Sequence, residues 1–472
     1  MADTYCTPLD VTQIEKNFSD IHPAMTGAEA GVEANRCLFC YDAPCIKACP
    51  TGIDVPSFIK KIATGNVVGS ARVIFDANPV GATCARVCPV EVLCEGACVE
   101  KTLLNKPIEI GRLQRFATDH VLGTGRQLFA AGEPNGRSVA VIGSGPAGLS
   151  CSTYLARLGY AVTIFERRSL PGGLDTYGMA EYKMTQKVSI AEVEQVRQLG
   201  VQIELNTEIV GVGTDGNVSA AHSSAGTTIE FGEIKTRFDA VFLGVGLGDT
   251  NRLGIPGEES TGVFDALWFI EQIKSREWSR IPLGKTVVVI GAGNTAIDAV
   301  TQAKRLGADK VIMVYRRTEK DASAYDYELE LAKKDGVEFV WRAAPVGILA
   351  EKSDGSVSGV RVERTDGTLE LSEIKCDMVI KAVGQQKMRS FFADIAGVTI
   401  DEKGRVTVNE LMQTSDPKIF SGGDCANGGA EAVDASQMGK LAAQGIHKSL
   451  SGESVEFAGA RVPELKVHVH QH

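Results

Sequence analysis

The chain has 472 residues, 44% of them hydrophobic, enough for about three domains of roughly 100–200 residues, each with its own core. A formal charge of -10 argues against nucleic-acid and membrane-surface binding, which need clustered Lys and Arg to hold phosphate. No run approaches the roughly 20 apolar residues of a bilayer span and no export signal heads the chain, so the expected location is the cytoplasm.

Eight of the 12 cysteines fall between Cys37 and Cys98, in a segment (1–130) with helical stretches such as 55–63. In a reducing compartment that density points to metal ligation rather than disulfides. Cys37, Cys40, Cys45 and Cys49 stand as C-x2-C-x4-C-x3-C-P; Cys84, Cys88, Cys94 and Cys98 follow as C-x3-C-P-x4-C-x3-C. Such short loops let several thiolates converge on one iron-sulfur cubane, and a fourth Cys before Pro often serves a second cluster. Paired zinc sites are the alternative, but they prefer repeated C-x2-C pairs, which the second set lacks.

After a linker at 131–137 the pattern becomes strand, glycine turn and helix. Gly143-Ser144-Gly145-Pro146-Ala147-Gly148 opens a βαβ unit, and Glu166, followed by Arg167, ends its second strand where an adenosine ribose would be bonded. The glycines allow the tight turn, the backbone's approach to a pyrophosphate and close helix packing, and the helix N-terminus favours the phosphate charge. A second copy begins at 285. There Gly291-Ala292-Gly293-Asn294-Thr295-Ala296 is followed by a strand ending in Arg316 and Arg317 instead of an acid. Guanidinium forks suit a 2'-phosphate, so NADPH is expected, with NADH the alternative.

The stretches "RCLFCYDAPCIKACPTGIDVPSFIKKIATGN", "GATCARVCPVEVLCEGAC" and "PIEIGRLQRFATD" resemble the amino-terminal region of dihydropyrimidine dehydrogenases, their separate electron-input subunits and, more distantly, glutamate synthase small subunits. The resemblance implies two 4Fe-4S clusters. It assigns Cys37, Cys40, Cys45 and Cys98 to one, and Cys49, Cys88, Cys94 and the amide oxygen of Gln114 to the other, leaving Cys84 spare; spacing alone would use all eight cysteines. It also implies FAD at the first turn, since Pro171-Gly172-Gly173-Leu174 and Ser421-Gly422-Gly423-Asp424 resemble two-dinucleotide flavoproteins. There Gly173 and Leu174 sit by the flavin ring, and Gly423 and Asp424 by its ribityl or pyrophosphate side. Where relatives carry an arginine near the flavin this chain has Lys183, the candidate for that role.

The expected fold is α/β: a helical two-cluster iron-sulfur domain (1–130), an FAD domain (137–248 and 385–455) with the NAD(P)H domain (249–384) inserted, and a tail (456–472). FAD takes a hydride and releases electrons singly, so the chain is expected to oxidise NAD(P)H and pass electrons through the clusters. No catalytic acid or base is assigned; His22, His120, His222 and His447 have no catalytic context. No FMN domain follows the second turn, and "VPELKVHVHQH" resembles the stretch that precedes the FMN half in one-chain dihydropyrimidine dehydrogenases. The expected partner is therefore an FMN/iron-sulfur subunit that binds uracil or thymine, in a hetero-oligomer. The alternatives are an input subunit of glutamate synthase or of a ferredoxin:NADP transhydrogenase, and a non-catalytic redox sensor.

Overall fold

A computed structural model describes residues 6–211, 226–351 and 353–459. The chain divides into two compact units. Of the described residues, the larger holds those within His22–Thr176, Lys187–Leu247 and 387–459; the smaller holds those within 6–21, Tyr177–Gln186 and Gly248–Gln386. His222 and the C-terminal histidines lie outside the described residues.

In the larger unit a five-stranded parallel sheet runs in the order Ile419–Ser421, Ala240–Leu243, Ser138–Ile142, Ala161–Phe165, Gln202–Glu204. Its central strands are continuous apolar runs because both faces are covered. The Pro146–Arg157 helix starts with Pro at its first position, where the missing N–H costs nothing, and buries its residues from Ala147 to Ala156. That all-round burial follows from packing between the sheet and the Ala432–Ser451 helix. The two helices cross closely enough that a Cβ on Gly439 would come 2.1 Å from the Ala147 carbonyl oxygen.

The cysteine-rich helices belong to the same unit. Gly27–Ala34, Val55–Ala63, Val67–Ala77 and Ile110–Thr124 share a core built on Ala30, Phe58, Ile59, Ile74, Leu113 and Val121. Asp54 and Asn66 cap two of these helices by accepting from Ser57 N and Gly69 N, and Thr26 with Glu29 forms a capping box on a third.

A second parallel sheet forms the smaller unit, in the order Glu338–Trp341, Lys310–Tyr315, Thr286–Ile290, Met378–Lys381, Val263–Asp265, beside an antiparallel three-stranded sheet of Ala343–Ala350, Val357–Arg364 and Leu371–Lys375. The short Val11–Asn17 helix packs here and not with the cysteine-rich helices. Its Ile14, with Phe18 just after it, enters the core of the second sheet, Phe18 stacks on Trp278 with ring centroids 5.2 Å apart, and Asn17 donates to Arg305 O at 2.8 Å. No helix among the described residues is long and apolar enough to cross a membrane.

Candidate functional site

Cys37, Cys40, Cys45 and Cys98 line one cavity, whose walls are otherwise mostly apolar and include Val55, Ile59, Ile108 and Ile110. The first three come from the loop and short Pro44–Ala48 helix ahead of the Val55–Ala63 helix, the fourth from the residue capping Val99–Leu104. Burial, then the charges of Cys37 and Cys98, pushes the Cys45 thiol up to about 12; burial also raises Cys37. Crowded, desolvated thiols resist ionising on their own, and bound iron reverses that preference by taking them as thiolates. Among the described residues no three His, Cys, Asp or Glu side chains converge tightly enough for a single ion, and these four thiols stand around a shared cavity instead.

A second group forms behind the first. Cys88 and Cys94 both feel Cys49, and Cys88 feels Cys94: burial and the charge of Cys49 raise Cys94, while Cys88 is raised by the hydrogen bond its thiol donates to Cys84, then by burial. Cys84 is hydrogen-bonded to Cys88 and so adjoins this group. It accepts from Asn78 Nδ2 at 3.1 Å and is buried in the core beneath the first glycine turn, with Cys151 and Tyr154. Gln114 is buried on the Ile110–Thr124 helix and donates through Nε2 to Gly81 O at 2.7 Å, which fixes the orientation of its amide.

At the first glycine turn Gly143 has φ +98°, and a Cβ there would come 2.4 Å from Gly244 O. Glu166 accepts from the Ser144 amide at 3.1 Å and its hydroxyl at 2.5 Å, and from Arg168 N at 2.9 Å; Gly172 N donates to Ser144 Oγ at 3.0 Å. Glu166 therefore holds the turn closed. Arg167 and Leu174 lie half-buried beside it. Gly423 (φ +76°) returns to the same place, where a Cβ would meet Ala147 Cβ at 3.0 Å. Asp424 follows as the first residue of Asp424–Asn427; burial raises its carboxyl, and the Lys387 charge opposes the rise.

The second turn repeats the geometry in the smaller unit. Gly291 has φ +133°, with Ala382 O 2.1 Å from where its Cβ would be; Gly293 caps the Asn294–Arg305 helix, and Asn294 Oδ1 accepts from Tyr325 N at 3.1 Å. Thr295 is half-buried and Ala296 buried on that helix. Arg316 and Arg317 are exposed just beyond Lys310–Tyr315, and neither guanidinium pairs with an acid among the described residues.

Lys183, the candidate for a cation near the flavin, is held by two acids. It belongs to the smaller unit, buried, with its ammonium 2.7 Å from Asp298 Oδ1 and 2.5 Å from Glu328 Oε1, and Tyr182 OH donates to the same Asp298 oxygen at 3.0 Å. Two buried carboxylates claim the cation, so it pins residues 177–186 to the second sheet's helices.

Two buried ionisable residues went unnoticed in the sequence. Glu192 accepts at the start of the Gly81–Val87 helix from Ala82 N at 2.6 Å, Thr83 N at 3.1 Å and the Thr83 hydroxyl, and burial raises its carboxyl to about 7. Lys440 is fully buried on Ala432–Ser451. The only available signal was a lone charge in an otherwise small and apolar stretch.

The pyridine nucleotide-disulphide oxidoreductase family model matches residues 137–439, and the model for dihydropyrimidine dehydrogenase domain II, 4Fe-4S cluster, matches 14–125. The chain is 34% identical over 440 residues to the NAD-dependent dihydropyrimidine dehydrogenase subunit PreT of Escherichia coli K12, covering 93% of this chain and 98% of that protein. It is 32% identical over 469 residues to the glutamate synthase [NADPH] small chain of the same organism, covering 93% and 95%. Among solved structures, Lactococcus lactis thioredoxin reductase covers 67% of this chain and is itself covered completely, at a TM-score of 0.52 and 23% identity, a likeness of fold. The chain therefore belongs to the pyridine nucleotide-disulphide oxidoreductases, with an N-terminal 4Fe-4S domain of the dihydropyrimidine dehydrogenase type, in the group that holds PreT and the glutamate synthase small chain.

Proposed function

We propose that the chain is the electron-input subunit of a dihydropyrimidine dehydrogenase, oxidising NAD(P)H at FAD and delivering electrons through two 4Fe-4S clusters to an FMN/iron-sulfur partner that reduces uracil or thymine. The observation that carries this is the cavity walled by Cys37, Cys40, Cys45 and Cys98, in the same unit as the Gly143 turn. When bound, FAD converts a two-electron hydride into single electrons, and the clusters carry these one at a time. In this reading the chain's residues bind and orient. Gly145 and the Pro146–Arg157 helix start receive the pyrophosphate, Glu166 the ribose, and Gly173, Leu174, Gly423 and Asp424 the flavin side. Cys37, Cys40, Cys45 and Cys98 hold one cluster; Cys49, Cys88, Cys94 and Gln114 hold the other. Gly291, Gly293, Asn294, Thr295 and Ala296 receive the nicotinamide dinucleotide, and the unpaired Arg316 and Arg317 favour NADPH. The relatives divide on this point, one being described as NAD-dependent and the other as using NADPH.

The match to the glutamate synthase small chain supports a second reading, in which the same input module serves that kind of acceptor. Anaerobic reduction by NADPH and NADH, with and without an FMN partner and uracil, separates the two. The pyrimidine reading expects flavin bleaching by the chain alone and uracil-dependent nucleotide oxidation only with the partner. Bleaching that no pyrimidine accelerates would sink it and leave the input module with another acceptor.

A further inference from the structure

Within the larger unit the Ala432–Ser451 helix touches both the first glycine-turn helix and the cysteine-rich segment. One face meets Pro146–Arg157 at Gly439. From the same helix Ser436 and Lys440, one turn apart, reach the cysteine-rich segment. Ser436 Oγ donates to Asn78 Oδ1 at 2.8 Å. Lys440 is 0% exposed and donates to three backbone carbonyls: Thr51 O at 2.9 Å, Ala77 O at 2.7 Å and Ala458 O at 2.9 Å. These bonds use all three donors of the ammonium, and none of them goes to a carboxylate. A buried cation without a bonded anion is costly unless a negative charge lies near by. Burial brings the Lys440 ammonium down to about 7, and the nearby charges of Cys49 and Asp76 oppose that fall. Thr51 completes the link, because its hydroxyl is 3.3 Å from Cys49 Sγ while its carbonyl holds Lys440.

We propose that the Lys440–Thr51 pair sets the reduction potential of the iron-sulfur centre to which Cys49 belongs, raising it so that electrons pass readily from the flavin side. The inference rests on the reading of Cys49 as a cluster ligand. Each electron that arrives adds one negative charge to the centre. In its charged form the buried ammonium lowers the energy of the reduced state by Coulomb attraction, and a hydroxyl donating to a ligating sulfur acts in the same direction. Lys440 is a positioning residue, acting on the centre through Thr51 and through space.

The test is a dye-mediated anaerobic redox titration of the full-length holoprotein followed by electron paramagnetic resonance, with iron and acid-labile sulfide measured, for wild type, Lys440→Met and Thr51→Val. Thr51→Val keeps the carbonyl that holds Lys440, so it remains informative if Lys440→Met does not fold. The expected result is that one centre moves to a more negative midpoint in each variant that folds, while the other centre, serving as internal reference, does not move. An unchanged midpoint in either variant that keeps its full iron and sulfide overturns the inference. A wild-type chain that takes up no cluster at all overturns the reading of the cysteines, and the inference with it.

Discussion

Gly173 lies so close to Gly145 that a Cβ on the former would stand 2.9 Å from the Cα of the latter. Two motifs on either side of the Ala161–Phe165 strand thus form one surface, and Gly172 N secures it by donating to Ser144 Oγ at 3.0 Å. The contact explains why the second motif needs glycine at Gly173. Gly145 is different: its φ of -67° suits any residue, and a Cβ there meets nothing within 4 Å.

That difference predicts the behaviour of Gly145→Ala. The apoprotein should fold with an unchanged melting temperature, because the methyl group enters open space, yet FAD should bind at least tenfold more weakly, about 1.4 kcal/mol, because the same space is where a pyrophosphate approaches. Flavin fluorescence titration of the apoprotein measures this. Wild-type affinity in the variant would remove the turn from the flavin site.

Arg316 and Arg317 predict the choice of nucleotide. Replacing both with Ala removes two charge-assisted donors, each worth about 1.5–3 kcal/mol when bonded. kcat/KM for NADPH in dye reduction should fall by roughly tenfold or more, with NADH nearly unaffected. An equal loss with both nucleotides would mean that the pair does not read the 2'-phosphate.

The two glycine turns and the cysteine spacings were legible because each is a local pattern whose residues act within one strand-turn-helix or one loop. What escaped was long-range. The seven residues of Val11–Asn17 carry Ile14 on a buried face, but nothing local says that the face, continued by Phe18, packs near Leu306 and not near Phe58. Lys183 read as a flavin-side cation because the motif position suggested it, whereas Asp298 and Glu328, more than a hundred residues on, decide where it points. Glu192 and Lys440 drew no notice in the sequence, and only the packing of neighbouring helices reveals them as buried.

Lys183→Met tests that buried pairing. It leaves Asp298 and Glu328 as two buried acids without their shared cation, a loss of about 3–5 kcal/mol where one partner of a buried pair is removed. Thermal unfolding should shift down markedly while FAD affinity measured below the transition stays at the wild-type value. A selective loss of flavin binding with unchanged stability would point to the flavin role instead.

Glu192 supplies a pH dependence. Burial raises its carboxyl from 4.5 to about 7, against the opposing bonds from Thr83 and Ala82. For an acid whose folded-state pKa lies above its unfolded value, the stabilisation is fully present below about 4.5 and is lost as pH rises through about 7, a change of roughly 3 kcal/mol. In Glu192→Gln the amide oxygen can still accept from Ala82 N and Thr83 N, while its NH2 donates to a reoriented Thr83 hydroxyl. The variant should therefore melt close to wild type at pH 4.5, above it at pH 8, and with a flatter profile between. Parallel wild-type and variant profiles across that range would show that the Glu192 carboxyl is already ionised at pH 4.5, its charge held by the two backbone N–H groups at the start of the Gly81–Val87 helix and by the Thr83 hydroxyl.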